Sequence, residues 1–485
     1  MNTISNIIQI LSEEEKREFI LQLKKKNRRT DTKNLSLFKL IEAEKTKDLD
    51  KILYGEGKKN AYHALCKRLQ DSLIDFIASK SFAQETSEEL EILKLLLASR
   101  IFFEHRQYKI AFKTLTKAEN QALQLDLFSI LNEIYHTKIQ YAHLSTSIAL
   151  DDIIQASGKN MQLFQQEYQL NLAYASIKEQ LKGGIKKSIN EIIIDTFSDF
   201  NIAIDSALTY KSLYQLMNIT ATAATWQNDY HSISPFMMEI FSVIEQKKEI
   251  AEKHLYYHIE VLHLMAVTQF RLKDFEASKD FALRMELAMK KSGGVYYKRF
   301  QEKHLLIQSL NDNYTGYPES AIATLRSFPG DSLDVHLSLI TCLFQQSQFA
   351  AAYMAFRDFY HSDTWYEKKA GWIWVLKKSM IEILLLVELD KLDLVLHRWH
   401  AFKRKFSPRL KKIGEERVLR FMNLIIYYYE HPEAVTSEAF KERVENSFEW
   451  IGPEREDIFV MSFYAWLKAK MEHRDLYETT LSLVH

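Results

Sequence analysis

Residues 95–118 of this 485-residue chain, LLLASRIFFEHRQYKIAFKTLTKA, contain the pattern from which the fold can be inferred. The segment has two runs with helical spacing, separated by the polar residues 104–107. The residues that share a face at this spacing are Leu95, Ala98, Ser99 and Phe102 in the first run and Tyr108, Ala111, Leu115 and Ala118 in the second. Small residues let two antiparallel helices approach, and large residues fill the groove between them. The segment therefore predicts a helical hairpin.

The same pattern returns further along the chain, so the hairpin is predicted to be a repeating unit. The second clear copy contains Leu262, Met265, Ala266, Gln269, Phe275, Ser278, Ala282 and Met285, and the third contains Ile340, Leu343, Phe349, Ala352, Phe356 and Phe359. Between these copies, residues 295–310 and 317–328 form a degenerate pair around a predicted loop at 311–316. The later pairs that continue the array are 372–389 with 392–406 and 415–429 with 437–450.

Composition supports a wholly helical fold. The chain has only 12 Gly and 6 Pro, and the first proline is Pro235, so a very long stretch precedes any strong helix breaker. Average proteins use these two residue types at roughly 12% of positions, and β-rich folds depend on them for turns. The deficit excludes a many-stranded sandwich or barrel, and also a doubly wound sheet with Gly-rich phosphate loops. With 47% hydrophobic and 26% charged residues the chain folds, and its predicted fold class is all-α.

The chain divides into three predicted regions. Residues 1–82 form a small N-terminal helical cap domain that is locally basic, with 17 Lys and Arg against 12 Asp and Glu up to Lys80. Residues 83–450 form the helical repeat array, which is irregular at 125–250 because that stretch is helical but matches the repeat pattern poorly. Residues 451–485 contain one C-terminal helix that is predicted to cap the array.

The three clear units resemble the tetratricopeptide-repeat (TPR) family, whose pattern places a Leu-small pair in the first helix and aromatic and Ala positions in the second. Here Ala98-Ser99 replaces the usual Leu-Gly pair, and no closing Pro follows. The resemblance covers residues 88–450. It implies a right-handed α-solenoid of antiparallel helix pairs, with a concave groove that holds a peptide, a helix or a partner protein. The termini, LSEEEKREF near Glu13 and FYAWLKAKM near Trp466, also resemble those of uncharacterised tetratricopeptide proteins common in Bacteroidetes.

The sequence contains no motif that carries catalysis or binds a cofactor. The segment Gly55-Glu56-Gly57 lacks the Lys and the Ser or Thr of a phosphate loop, and no Gly-x-Ser-x-Gly elbow occurs. His254 and His258 lie at i, i+4, and His397 and His400 lie at i, i+3. Neither pair carries the Glu of a metalloprotease or di-iron motif, so both are interpreted as structural or surface histidines. We expect a non-enzymatic protein with no catalytic residue, metal site or cofactor.

Two clusters of cationic side chains are candidate binding surfaces. The first, a candidate nucleic-acid contact, comprises Lys24, Lys25, Lys26, Arg28 and Arg29. The second comprises Arg398, Lys403, Arg404, Lys405, Arg409, Lys411 and Lys412, interleaved with Trp399, Phe402 and Phe406. Such clusters can track a phosphate backbone while aromatic rings stack on bases. The second cluster also fits a solvated helix face, or a contact with a protein or an acidic peptide, because helix packing explains its aromatic spacing. The net charge of the whole chain is zero, so only a local patch could attract nucleic acid.

Aromatic residues are abundant in the C-terminal third, where we expect a partner-binding surface. The three tyrosines at 427–429 cannot all face one side of a helix, because consecutive residues point 100° apart. Tyr and Trp are favoured anchors at protein interfaces, although core packing of the repeats accounts for the same residues. The candidate partner-binding residues are Trp372, Trp374, Trp399, Arg404 and Tyr428.

The expected location is the cytoplasm. Cys66 and Cys342 do not make a disulfide framework, the N-terminus is a poor signal peptide, and no apolar run is long enough to span a bilayer. The first functional hypothesis is a non-catalytic scaffold that binds a partner peptide or helix in a concave groove. The alternative is a nucleic-acid-associated regulator, in which the basic N-terminal helices contact phosphates and the helical array senses a partner.

Overall fold

The structure is a computed structural model of the chain. It describes residues 4–5, 7–8, 11, 13–26, 33–43, 48–55, 58–84, 88–144, 149–182, 189–202, 208–227, 230–247, 251–252, 254–412, 415–447 and 458–485. Within these ranges the regular structure is entirely helical, with 24 α-helices and no strand. The predicted all-α fold class is therefore confirmed for the described part of the chain.

The helices follow one another with short connections. In chain order they are α1 (Glu13–Lys26), α2 (Lys33–Glu42), α3 (Leu49–Tyr54), α4 (Lys59–Gln84), α5 (Glu88–Glu104), α6 (Tyr108–Gln124), α7 (Phe128–Tyr141), α8 (Leu150–Lys182), α9 (Ile189–Asp199), α10 (Tyr210–Gln227), α11 (Ser234–Gln246) and α12 (Leu255–Arg271). The second half comprises α13 (Phe275–Met289), α14 (Tyr297–Tyr314), α15 (Pro318–Arg326), α16 (Leu333–Gln345), α17 (Phe349–Phe356), α18 (Asp363–Ala370), α19 (Trp372–Glu388), α20 (Leu392–Lys412), α21 (Glu416–Glu430), α22 (Glu438–Ser447), α23 (Ile458–Glu472) and α24 (Leu476–Val484).

The chain separates into two compact units. The first comprises Met1–Leu90 together with His361–Trp372, and the second comprises Glu91–Tyr360 with Ile373–His485. The first unit thus includes a segment that is distant in sequence from the predicted domain at 1–82. Its core is aromatic and aliphatic, and the ring of Phe19 lies 5.3 Å from Phe38 and 5.2 Å from Phe76 between centroids. Such tilted ring pairs add to the stabilisation that comes from burying their surface.

The hairpin at 95–118 forms α5 and α6, and their buried residues share one core. In α6 the predicted residues Ala111, Leu115 and Ala118 are fully buried, and Tyr108 packs against the same core. In α5 Ser99 is buried as predicted, but the large buried residues lie one position after the predicted ones. Its buried members are Ile92, Leu96, Ser99 and Phe103, whereas Leu95 and Phe102 are only half-buried. The apolar runs at 95–97 and 101–103 contain a large residue at every position, so spacing alone does not identify the inward face.

Helices α12 to α17 form the most regular part of the second unit. Consecutive helices pack together, and α12, α14 and α16 also contact one another in succession. The predicted packing residues Ala266, Phe275, Ala282, Ala352 and Phe356 are buried, and the half-buried Phe349 lies against Phe344. The repeats at this end of the chain therefore bury the face that the spacing predicts.

The helices α12 and α13 approach closely because small residues lie between them. Ser278 Oγ donates a hydrogen bond across the pair to the carbonyl oxygen of Ala266 at 2.9 Å, and Asn311 Nδ2 from α14 donates to the same hydroxyl at 2.9 Å. We expect Ala266→Leu to destabilise the protein by about 1–3 kcal/mol, because a larger side chain forces the helices apart. Urea unfolding measures this change. Ala175→Leu, at an exposed position of α8, is the matched control and should have little effect.

The described residues between 125 and 250 are mostly helical, and the long helix among them does not follow the predicted two-helix pattern. This long helix is α8, which has 33 residues and contacts α7, α9 and α10. Two side chains fix these contacts. Asn160 Nδ2 donates to the carbonyl of Phe128 at 3.0 Å, and Tyr174 OH donates to the carbonyl of Ser212 at 2.9 Å. One long helix therefore replaces the two shorter helices of a regular unit.

The C-terminal segment contains two helices where the sequence predicts one capping helix. His473 adopts a left-handed conformation with φ 53° after α23, which turns the chain back. Asp475 then caps α24, since its carboxylate accepts a hydrogen bond from the backbone N–H of Glu478 at 2.9 Å. An acidic N-cap of this kind satisfies a donor that the first helical turn otherwise leaves unpaired. Helices α23 and α24 pack together as a pair.

Candidate functional site

The C-terminal pair, α23 and α24, is bound by helices that precede it by more than a hundred residues. Ile458, Met461 and Val484 are buried in the same core as residues of α12 and α14, and α24 also contacts α16. We use the name hairpin-binding surface for the residues that hold this pair through polar or cationic contacts. They are Arg271, Asn313, Tyr314, Lys377 and Glu388. Helices α12, α14 and α16 therefore contact a helical hairpin of the same chain.

Three hydrogen bonds join the hairpin to the C-terminal end of α14. The hydroxyls of Tyr314 and Ser462 lie 2.7 Å apart. Tyr477 OH donates to the carbonyl oxygen of Asn313 at 2.6 Å, and Nε2 of His485 lies 2.9 Å from the carbonyl oxygen of Tyr314. The last four carbonyl oxygens of a helix have no partner within the helix, so these contacts satisfy groups that are otherwise left open.

Side chains of the array orient the residues that make these contacts. Asn313 Nδ2 donates to Gln345 Oε1 at 2.7 Å, and Gln345 Nε2 donates to Tyr314 OH at 3.1 Å. Burial, the Cys342 thiol and Glu319 raise the pKa of Tyr477 to about 12. The Tyr477 hydroxyl therefore stays protonated at neutral pH and can donate to the carbonyl oxygen of Asn313.

Glu388, near the end of α19, binds α23 through both of its carboxylate oxygens. Trp466 Nε1 donates to Oε1, and Lys470 Nζ lies 2.7 Å from Oε1 and 2.9 Å from Oε2. The carboxylate is 9% exposed, so these two donors replace most of its hydration. The ring of Phe459 lies beneath two further cations, Arg271 at 4.3 Å and Lys377 at 4.4 Å.

We expect Glu388→Ala to lower the free energy of unfolding by about 2–3 kcal/mol, because it leaves the buried indole N–H of Trp466 without its acceptor. Hydrogen exchange measured by mass spectrometry should show faster exchange in α23 and α24. The matched control is Glu438→Ala, which removes a Glu–Lys pair whose Glu438 carboxylate is 82% exposed. That variant should behave as the wild type, and equal effects of the two would contradict a special role for Glu388.

The predicted partner-binding residues differ in exposure. Trp374 and Trp399 are 7% and 6% exposed, so both are core residues and present little surface to a partner. Tyr428 is half-buried and makes an edge contact with Trp466 at 5.6 Å, which places it beside the docked hairpin. Trp372 is half-buried and belongs to the first compact unit. Arg404 is exposed on α20.

The predicted nucleic-acid cluster lies partly outside the described residues. Lys24 is exposed in the last turn of α1. Lys25 and Lys26 belong to the same helix, but their side chains are outside the described residues, as are Arg28 and Arg29 entirely. The aromatic residues of the second cluster, Trp399, Phe402 and Phe406, are buried in the core and are inaccessible for stacking on bases.

A cavity of ≈ 700 Å³ opens where α8 interrupts the repeat. One face of α8 lines it with Asn160, Leu163, Glu167 and Leu170, and residues of α7, α10 and the end of α11 complete the wall. This volume is in the range of small-molecule sites. Its lining mixes both signs of charge with amides and apolar side chains, so its chemistry selects no single class of ligand.

The histidine pair on α12 has structural partners. The ring of His254 stacks on Tyr210 with 5.5 Å between centroids, and its Nε2 lies 3.8 Å from Asp126 Oδ2. Burial raises the pKa of Tyr210, whose hydroxyl lies 2.7 Å from Nδ1 of His258. The two side chains therefore share a hydrogen bond, whose direction is set by the tautomer of His258. The described residues contain no cluster of three or more His, Cys, Asp or Glu side chains that could hold a metal ion.

Comparison of the chain with models of protein families, with curated proteins and with solved structures finds no match. Among the helices that the structure describes, none combines the length and the apolar character needed to cross a membrane. The choice of function therefore depends on the contacts described above.

Proposed function

We propose that this protein is a non-catalytic scaffold of TPR-like helical repeats, which binds a peptide or helix of a partner protein in a concave groove. The observation that carries the proposal is the hairpin-binding surface. It holds two helices through carbonyl oxygens at the end of α14, through the carboxylate of Glu388, and through an apolar core shared with α12 and α14. A surface built in this way has the elements that recognise a helix, namely apolar burial with polar groups that fix its orientation.

Binding of helices by the array can be tested with the hairpin supplied as a separate peptide. The probe is a fluorescein-labelled peptide of residues 458–485, and the protein is the full-length Trp466→Ala variant, whose own hairpin is loosened while Glu388 and the rest of the hairpin-binding surface are unchanged. We expect saturable binding, which should weaken when the peptide carries Trp466→Ala. Equal binding of both peptides would count against recognition by the hairpin-binding surface.

Partners of the wild-type protein can be sought by affinity capture of the tagged full chain from lysate, with half of each sample treated with nuclease. The proposed scaffold should retain a near-stoichiometric protein partner in both halves. The alternative function, a nucleic-acid-associated regulator, predicts partners that are lost with nuclease and a recovered nucleic acid. It further predicts that changing Lys24, Lys25, Lys26, Arg28 and Arg29 to Ser abolishes salt-dependent binding.

A further inference from the structure

One exposed face of α20 carries a row of basic side chains. The buried residues of this helix, which define its inward face, are Val395, Trp399, Phe402, Phe406 and Leu410. At 100° per residue, the opposite face carries His397, His400, Arg404 and Lys411, all of them exposed. Exposed Lys403 and Lys412 flank this row. We call these six residues the cationic ridge, and it runs for about 21 Å along the helix.

The cationic ridge has little acidic compensation from its own chain. Helix α20 contains seven Lys and Arg but a single carboxylate, that of Asp393. One cation of this helix, Arg398, lies beside the ridge and forms an ion pair with Glu382 at 2.8 Å. Lys403, Arg404 and Lys411 form no ion pair with any residue that the structure describes. The next carboxylate along the chain, Glu415, is bound by Arg417 at 2.9 Å. The ridge therefore presents cations that are open to an external acid.

The middle of the ridge contains a shallow depression of ≈ 570 Å³, lined by His400, Lys403, Arg404, Ser407, Pro408 and Lys411. Pro408 lies inside the helix and has no N–H to donate to the carbonyl oxygen of Arg404. The depression therefore combines cationic side chains with the carbonyl oxygen of Arg404, which lacks its usual backbone donor.

We propose that the cationic ridge binds an acidic helix of a partner protein, through Glu and Asp side chains that lie one or two helical turns apart. His400 and Arg404 are four residues apart on α20, or about 5–6 Å, and Arg404 and Lys411 are two turns apart, or about 10.5 Å, which matches carboxylates on a facing helix. The same chemistry joins helices within this chain, since Lys303 lies 2.7 Å from Glu260 and Arg398 lies 2.8 Å from Glu382. The inference rests on the proposed scaffold function and names the chemistry of one partner.

Nucleic acid is a weaker match to this surface. The aromatic residues of α20 point into the core, so they are unable to stack on bases, and stacking accounts for much of the binding of single strands. The chain as a whole has zero net charge and therefore lacks the long-range attraction of a basic nucleic-acid-binding protein.

The test uses the full-length protein and a labelled helical peptide of about 20 residues, rich in Ala, with Glu at every third or fourth position. A peptide with Gln in place of Glu is the matched probe. Fluorescence anisotropy should show binding of the Glu peptide at about 50 mM salt, weakening at about 300 mM. The triple variant Lys403→Gln, Arg404→Gln, Lys411→Gln should bind at least about tenfold more weakly.

The matched control removes three exposed lysines on separate helices, Lys109 of α6, Lys178 of α8 and Lys298 of α14, which also form no ion pair with described residues. This variant has the same net charge as the ridge variant and should bind within about twofold of wild type. Equal losses in the two variants, equal binding of the Gln peptide, or tighter ridge-dependent binding of duplex DNA would each overturn the proposal. If the peptide-binding test fails while affinity capture recovers a protein partner, the ridge contact is wrong and the proposed scaffold function is still supported.

Discussion

Replacing Trp466 with alanine is expected to lower the free energy of unfolding by about 3–5 kcal/mol, the largest effect of any single substitution considered. The indole is 1% exposed, and its removal leaves a large cavity in the core beneath α23. The change also removes the donor to Glu388 and the edge contact with Tyr428. Urea unfolding measures the loss, and hydrogen exchange should place the greatest change in α23 and α24.

A second variant separates packing from hydrogen bonding at this position. Trp466→Phe keeps an aromatic ring but has no N–H, so it should cost about 1–3 kcal/mol from the lost hydrogen bond to Glu388 and a smaller cavity. Tyr360→Ala, at a residue that is 81% exposed, is the control and should leave stability unchanged. If Trp466→Ala matched this control, the docked position of α23 would be contradicted.

The sequence predicts local features of this fold well, because helices depend on residues that are near one another. The deficit of Gly and Pro indicates helices throughout, and the small residues at Ala111, Ala118 and Ala266 mark positions where helices cross. The inward face of α5 was predicted one residue away from its position. Both Phe102 and Phe103 suit a core, and the choice between them depends on where the next helices lie.

Local sequence patterns do not predict the hairpin-binding surface, for two reasons. Its hydrogen bonds join residues separated by 148 positions (Tyr314 and Ser462) and 171 positions (Tyr314 and His485), and no local spacing reports such a pairing. The polar run at 311–316 also indicated a loop. In the structure α14 continues to Tyr314, and Asn311 and Asn313 are buried because each side chain has a hydrogen-bond partner. The two asparagines near the end of α14 are thus the feature of the sequence that could have indicated this surface.

Lowering the pH from 7.5 to 5 is expected to destabilise the protein through two histidines of α12. Burial, then the charges of Arg284 and Lys291, lower the pKa of His258 to about 4, although Glu245 acts in the opposite direction. Burial, Lys303 and His304 lower the pKa of His263 to about 3. Both values lie below about 6.5, the pKa of His in an unfolded chain, so between these values the unfolded chain binds more protons. Stability is therefore complete above pH 6.5 and decreases as the pH falls toward 4.

The size of this effect follows from about 1.4 kcal/mol per unit of pKa difference, which gives about 2 kcal/mol for each histidine at pH 5. Urea unfolding at both pH values measures it. His263→Phe should remove about half of the loss, and at pH 7.5 it should be no less stable than wild type, because Nδ1 of His263 is buried without a hydrogen-bond partner among the described residues. His258→Asn keeps an acceptor for Tyr210 and should remove the other half. A wild-type loss that persists in the double variant would assign the acid sensitivity to carboxylates instead, since those are the other groups that gain protons as the pH falls.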